Sequence, residues 1–297
     1  MFRVSGPELV IAARRAGVIG SFPTANCRTV DELETWLGRF DEELSPDDAP
    51  YCPNLIVRHA EVGVHLDCLL RHDVEVVITS VGSPAPVIGP LHDAGVLVLA
   101  DVASVRHARR AADAGADGLV LLSAGAGGQT GWANGFAFVR AVRRFYDGLL
   151  VLAGGISDGH ALYAAQALGA DLGYMGTRFI ATSESMADDG YRTMLVDSEL
   201  DDVMLTTAIT GLPTSMLRPS LVAAGLDPDD LPADLSAAQA ANLYGSGATG
   251  PTRWRDLWSA GHSISGVDDV STIDDLVARV ATEHAAAAAR AQRGFTR

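Results

Sequence analysis

Val151-Leu-Ala-Gly-Gly-Ile-Ser157, followed about twenty residues later by Tyr174-Met-Gly-Thr-Arg-Phe179, decides the fold of this chain. Each is a short apolar run that ends in glycine. Between them, residues 158–169 are Ala-rich with helical spacing. The pattern is that of two consecutive βα turns of a parallel α/β protein. Glycine at the end of each strand lets backbone N–H groups approach an anion, and the following helix N-terminus adds partial positive charge. Two such turns on adjacent late strands are the phosphate-holding arrangement of a (β/α)8 barrel.

Working outward, near-continuous hydrophobic runs recur, as parallel strands covered on both faces require. They are Val18–Phe22, Asn54–Val57, Val74–Ser80, Val96–Ala100, Gly118–Leu122, Leu149–Ala153 and Leu172–Met175. Helical patterns fill the intervals at Pro86–Asp93, Val105–Ala114, Phe136–Phe145 and His160–Leu168. Seven strands are visible where a closed barrel needs eight. Only Met1–Val4 precede the helical Pro7–Arg15, so the first strand is expected to be truncated or missing. Something is then expected to cover the gap: a partner subunit of a homo-oligomer, the C-terminal helix, or upstream residues.

The expected division is a barrel over 1–185, a helical lid over 186–252, and a segment returning to the barrel over 253–297. Within the lid, Met186–Met204 reads as helix and Thr206–Leu217 as loop. Residues 226–241 are acidic and Pro-broken, then Ala-rich, and Tyr244–Pro251 is Gly-rich. Ile273–Ala289 reads as a closing helix, with Asp274 and Asp275 at its favourable end.

Composition narrows the function. Formal net charge is -15, which argues against nucleic acid, since phosphate contacts need clustered basic residues. All 22 basic residues are arginine, so Schiff-base chemistry and a P-loop, both of which need a lysine amine, are excluded. No apolar run reaches the roughly 18 residues of a membrane span and no signal peptide is visible, so a cytoplasmic protein is expected. Cys27, Cys52 and Cys68 are odd in number and form no C-x-x-C, which points away from disulfides or zinc. Cys68 is expected to be a buried structural thiol.

Ser123-Ala-Gly-Ala-Gly-Gly-Gln-Thr-Gly131 follows the strand ending at Leu122, on the catalytic face of a barrel. Its glycines let the backbone lie flat against a ligand, and Gln129 is its one long functional side chain.

Together these segments resemble the nitronate monooxygenase family, FMN-dependent barrels once called 2-nitropropane dioxygenases. The resemblance runs over essentially the whole chain. It rests on Met1-Phe-Arg-Val-Ser-Gly-Pro-Glu8, Gly20-Ser-Phe22, Pro53-Asn-Leu55, Ala114-Gly-Ala-Asp-Gly118 and Ala124-Gly-Ala-Gly-Gly128. It extends to Leu152-Ala-Gly-Gly-Ile-Ser-Asp-Gly159, Met175-Gly-Thr-Arg-Phe179, Ala181-Thr-Ser-Glu184 and Trp258-Ser-Ala-Gly261. The resemblance implies FMN, with its phosphate on Gly154, Gly155, Gly176 and Thr177. It places Asn54, Gly127, Gly128 and Met1 beside the isoalloxazine.

Three departures bear on the chemistry. The family's loop usually carries histidine as proposed base where this chain has Gln129, and a carboxamide takes no proton near neutral pH. Proton transfer of that kind carries about 10² to 10⁴ in rate. A histidine, His262, stands in Ser259-Ala-Gly-His-Ser-Ile264, where relatives tend to have glutamine, so the proton-transfer group is expected to have crossed the pocket. The chain also begins where the family's first strand ends. The expected function is an FMN-dependent oxidoreductase that oxidises a small nitronate-like anion with oxygen as acceptor. An NAD(P)H-dependent enoyl or quinone reductase of the same fold is the alternative, and a non-catalytic scaffold with a weakened flavin site is a third reading.

Overall fold

In the computed structural model, which describes residues 1–233 and 235–294, the seven expected strands form one parallel sheet. These are β1 (Gly20–Pro23), β2 (Tyr51–Ile56), β3 (Val76–Ser80), β4 (Leu97–Val102), β5 (Gly118–Leu122), β7 (Leu149–Ala153) and β8 (Leu172–Tyr174). A short β6 (Gly128–Gln129) lies outside that sheet. Strand order follows chain order, and registers such as Val120↔Val151 and Val151↔Leu172 carry the sheet round into a TIM-type barrel. Alternation along the strands divides the core into two layers. Cys52, Val76, Ile78, Leu99, Val120 and Val151 point inward and pack on one another. Val77, Leu119, Leu121, Leu150 and Leu152 point outward into the layer beneath the helices.

Helix α1 (Pro7–Arg15) precedes β1, and α2 (Val30–Glu43), α3 (Val62–Leu69) and α4 (Ala85–Asp93) follow β1, β2 and β3. Later helix starts follow their capping residues. Ser104, Asn134 and Asp158 accept the N–H groups of His107, Ala137 and Ala161. They open α5 (Val105–Asp113), α6 (Gly135–Arg143) and α7 (Gly159–Leu168), because a side-chain oxygen there satisfies an orphan donor of the first turn. Gly169 ends α7 at φ 106, and its N–H returns to Ala165 and Gln166. A left-handed cap of this kind favours glycine.

Among the described residues no strand precedes α1, as expected of a truncated or missing first strand: residues 1–4 form a turn, and β1 and β8 are the sheet edges. Side chains bridge the seam between them. Ser21 Oγ lies 3.1 Å from the Tyr174 hydroxyl, joining β1 to β8, and Ser5 Oγ donates to the Ser21 carbonyl at 2.5 Å. Asn26 holds the opening turn, donating to the Ser5 and Met1 carbonyls and accepting from Arg3 N. Outside the seam lies α12 (Ile273–Gly294), packed on α7 and on α1. The crossing with α7 is backbone-close: a Cβ on Gly159 would overlap His284 N and Val280 O. The C-terminal helix therefore occupies the outer place beside the missing strand.

After β8, the chain makes α8 (Thr177–Ile180) and then α9 (Asp189–Asp197). The expected helix across Met186–Met204 stops at α9. Val203–Thr206 is instead β9, antiparallel to β10 (Thr214–Leu217), with Met204 opposite Met216. β10 also pairs with β6, placing Thr214 opposite Gln129 and Ser215 opposite Gly128. That ladder joins residues far apart in sequence, so no local pattern announces it. Strand β10, α10 (Arg218–Ala223) and α11 (Ala237–Tyr244) share a small core of Ile209, Met216, Leu221, Tyr244 and Leu257. Within the acidic stretch 226–241, position 234 lies outside the described residues, as do 295–297 at the end of the returning segment. No helix among the described residues is long and apolar enough to cross a membrane.

Candidate active site

The C-terminal ends of the barrel strands open into a cavity of about 1270 Å³, also lined by Tyr191, Pro213, Gly245, Trp254, Trp258 and Ser263 from beyond the last barrel strand. Met1, Asn54, Gly127, Gly128, Gln129, Gly154, Gly155, Gly176 and Thr177 all line it.

On the β7–β8 side, Gly155 has φ 73, a left-handed conformation, with open space where a Cβ would be. Gly154 is bound to be glycine for packing as well: a Cβ there would meet Ser123 Oγ at 2.6 Å and Ala126 N at 2.8 Å. Gly176 precedes α8 and offers its first turn no side-chain cap. Thr177 Oγ1 accepts the Gly261 N–H at 2.9 Å, which leaves its proton free to donate into the cavity. Open glycine backbone, an uncapped helix turn and a directed hydroxyl form a cradle that fits an oxyanion.

The Gly-rich loop after β5 lies flat against Ala260–His262. A Cβ on Gly127 would stand 2.9 Å from Gly261 N, and one on Gly261 would stand 2.6 Å from Gly125 O. His262 N donates to Gly125 O at 2.8 Å. Glycine is thus required on both sides by backbone-on-backbone packing.

His262 itself does not enter the cavity. Its side chain is exposed, and its ring lies over Gly125, so near that a Cβ there would meet Nδ1 at 2.5 Å. Expected to replace the base across the pocket, His262 instead packs its ring over Gly125 and is not among the residues that line the cavity. Gln129 lines the cavity, and its backbone is set by the β6–β10 ladder. Its carboxamide is exposed and has no hydrogen-bond partner among the described residues.

On the barrel floor, Asn54, Ser80 and Asp101 form a polar group that composition alone does not reveal. Ser80 Oγ donates to Asn54 Oδ1 at 2.6 Å, and Asn54 Nδ2 approaches Asp101 Oδ2 at 3.4 Å. Asp101 Oδ1 is buried and has no partner among the described residues. Burial raises the Asp101 carboxyl to about 7, against the opposing hydrogen bond from Asn54. The readable signal is a carboxylate inside the apolar run Leu97-Val-Leu-Ala-Asp-Val102. Burial also pushes the nearby Tyr174 phenol up. The three cysteines are free and buried, and burial raises Cys27 and Cys68 to about 12, so neither is a ready nucleophile.

Among the described residues, Arg3, Val81 and Trp254 are the non-glycine residues at positive φ, at 67, 54 and 68. All three line this cavity. Left-handed backbone at a β-branched residue such as Val81 costs energy, and such strain concentrates where function demands it.

The nitronate monooxygenase family model matches residues 42–283. The chain belongs to the nitronate monooxygenase family. Its relatives include a 5-hydroxy-7a-methyl-1-oxo-octahydro-1H-indene-4-carboxyl-CoA dehydrogenase from Mycobacterium tuberculosis, 31% identical over 222 residues, or 74% of this chain and 61% of the relative. A nitronate monooxygenase from Paraburkholderia phytofirmans is 33% identical over 153 residues, covering 48% of this chain and 42% of the other. The chain thus spans about three-fifths of the length of the dehydrogenase. Two solved structures share the fold at TM-score 0.80. One is nitroalkane oxidase from Streptomyces ansochromogenes, 26% identical, covering 97% of this chain and 94% of the other. The second is a FabK variant from Thermotoga maritima, 25% identical, covering 98% and 92%. The family is one of oxidoreductases.

Proposed function

We propose that this chain is an FMN-dependent oxidoreductase acting on a small organic anion of the nitronate type, with oxygen as acceptor. The observation that carries the reading is the oxyanion cradle of Gly155, Gly176 and Thr177, set across one cavity from the unpartnered Asp101 Oδ1. The two polar features match the two polar ends of a flavin mononucleotide. Gly154, Gly155, Gly176 and Thr177 would hold its phosphate. Asn54, Asp101, Gly127, Gly128 and Met1 would flank its ring. When bound, the flavin supplies the two-electron redox chemistry, and the protein supplies position and electrostatics.

The chain's own residues then have separate tasks. Gln129, with no partner of its own, donates its N–H groups to the oxygens of a bound anion. It holds the substrate without removing a proton, which suits a substrate that arrives already ionised. The Gly125–Gly128 backbone, pressed on Ala260–Gly261, keeps water from one face of the site. Asp101, protonated below about pH 7, is a donor at the floor.

A second reading, an NAD(P)H-dependent reductase of an enone or quinone, is favoured by one observation: Gln129 stands where a base is expected. That reaction needs a donor to the substrate oxygen, not a base.

The test begins with a visible spectrum of the purified protein. Flavin bands are expected, and a colourless protein that rejects added FMN would overturn the proposal. Anaerobic addition of propyl nitronate should bleach the bands, whereas bleaching by NADPH alone would favour the second reading. Gly176→Val should fold normally, since a Cβ there meets only the Met1 side chain at 3.7 Å, yet it should lose flavin. Full flavin occupancy in that variant would show the phosphate to lie elsewhere.

A further inference from the structure

The chain carries a formal charge of -15, yet five arginines and one carboxylate, Asp101, line its central cavity. Elsewhere the arginines are largely engaged. Arg39, Arg71, Arg143, Arg178, Arg192, Arg218, Arg255 and Arg279 all form ion pairs. Arg58, Arg106 and Arg110, all exposed, have no ion pair or side-chain hydrogen bond among the described residues, and neither do Arg3 and Arg253 at the same cavity. In a protein with 37 acidic and 22 basic side chains, carboxylates are in ample supply, yet the five arginines at this cavity share it with one carboxylate, an excess of positive charge that suits an anionic ligand.

Their placement is specific. Arg58 follows β2; Arg106 and Arg110 sit one turn apart on α5, which follows β4. The loop between these elements, after β3, is the one strained at Val81, and Gly82 in it lies beside Arg58: a Cβ there would meet Arg58 Cγ at 3.5 Å. The strand order puts this β2–β4 arc away from the β7–β8 cradle. The first turn of α5 carries no acidic residue, and Arg106 there opposes the helix macrodipole. A cation at that end is unfavourable unless an anion joins it, in which case dipole and guanidinium act together. One strand further round, the loop after β6 presents Trp132, 83% exposed, at the rim of the same cavity. An exposed indole at the rim of a cavity that also holds unpaired arginines offers a stacking platform for a heterocycle. The cavity, at about 1270 Å³, also exceeds the roughly 300–1,000 Å³ of a pocket for one drug-sized ligand.

We propose that Arg58, Arg106 and Arg110 form a second anion site, separate from the phosphate cradle, which holds the diphosphate of a nucleotide-bearing substrate while its base rests on Trp132. Guanidinium forks suit phosphate oxygens. The shared chemistry is an adenosine diphosphate group. It has two sources, a coenzyme A thioester and a nicotinamide dinucleotide. The proposal rests on the reading of this cavity as the redox site and accords with the second of the two functions above, a nucleotide-bearing reactant taking the place of the small nitronate.

Calorimetric titration of the protein as purified, with coenzyme A, NADPH and adenosine as separate probes, tests it. At least one of the first two should bind, adenosine should bind far more weakly, and Arg106→Gln/Arg110→Gln should weaken the tighter probe about tenfold or more. Arg144→Gln, outside the cavity, should leave binding unchanged. Binding of coenzyme A would identify the thioester as source; binding of NADPH, the dinucleotide. If neither binds, if adenosine binds as tightly, or if the double variant binds unchanged, the site is refuted. The flavin spectrum recorded before each titration keeps the two readings apart. Yellow protein with no nucleotide binding refutes this site alone, and colourless protein that binds through Arg106 and Arg110 refutes the flavin alone.

Discussion

Replacing Asp101 by asparagine removes a charge that the folded protein resists. The carboxyl is held at about 7 in the fold against an ordinary 3.8, chiefly by burial. Folding therefore favours the protonated form. Its stabilisation is fully present below the unfolded pKa and is lost as pH rises through the folded one. Between about pH 5 and pH 7 the folded state binds about one proton more than the unfolded state, so stability falls by about 1.4 kcal/mol per pH unit, or about 2–3 kcal/mol in all. The carboxamide of Asp101→Asn has the same shape and cannot ionise. It keeps a donor for whatever partner Oδ1 awaits.

Urea unfolding without added flavin, run on both proteins at about pH 5 and pH 8, isolates this contribution from the rest of the pH dependence. The advantage of Asp101→Asn over the parent should be larger at about pH 8 than at about pH 5, by about 2 kcal/mol. If the difference between the two proteins is the same at both pH values, Asp101 titrates normally and the argument for a neutral carboxyl at the barrel floor fails.

Gly159→Ala should push α12 off α7, because the new Cβ overlaps helix backbone; a loss of about 1–3 kcal/mol should appear as a lower melting temperature. Gly127→Ala should pry the loop from Gly261, 2.9 Å away, and lower flavin occupancy more than it lowers stability. His262→Ala should keep turnover within about twofold, since the exposed ring is not among the residues lining the cavity. A larger loss would return the histidine to the site.

The barrel is legible in the sequence because parallel strands buried on both faces are written as unbroken apolar runs. Leu149–Ala153 and Gly118–Leu122 match to the residue. The capping residues Ser104, Asn134 and Asp158 mark three helix starts for a local physical reason. Two features are not legible, and both are long-range. Val203–Thr206 becomes a strand through pairing with Thr214–Leu217, and this depends on the partner, not on local period. His262 is bound to Gly125, far away in sequence, and packs its ring over it, a contact that spacing alone does not reveal. Asp101 escapes a sequence reading for a different reason: a single carboxylate in an apolar run reads as a strand end until burial is known. The open seam between β1 and β8 is legible from the strand count, but the contacts across it are not. Ser21, Tyr174 and Asn26 look ordinary one by one and act only across the seam.

The charge distribution has a kinetic consequence. At a separation beyond the Debye length of about 8–10 Å, an approaching polyanion meets screened repulsion from the net -15, and the arginines of the cavity attract it only at short range. A chain built for fast electrostatic capture would carry the opposite balance. Here the long-range field opposes encounter while the local contacts hold the ligand. Added salt weakens both, so its effects on the two steps push affinity in opposite directions: it should raise the association rate modestly and raise the dissociation rate more. A purely surface-driven interaction would show only falling association. Stopped-flow binding of coenzyme A or NADPH across a salt series separates these cases. Association that falls steeply with salt would mean that the arginine arc dominates the field even at a distance, and that the acidic surface lies too far from the mouth to matter.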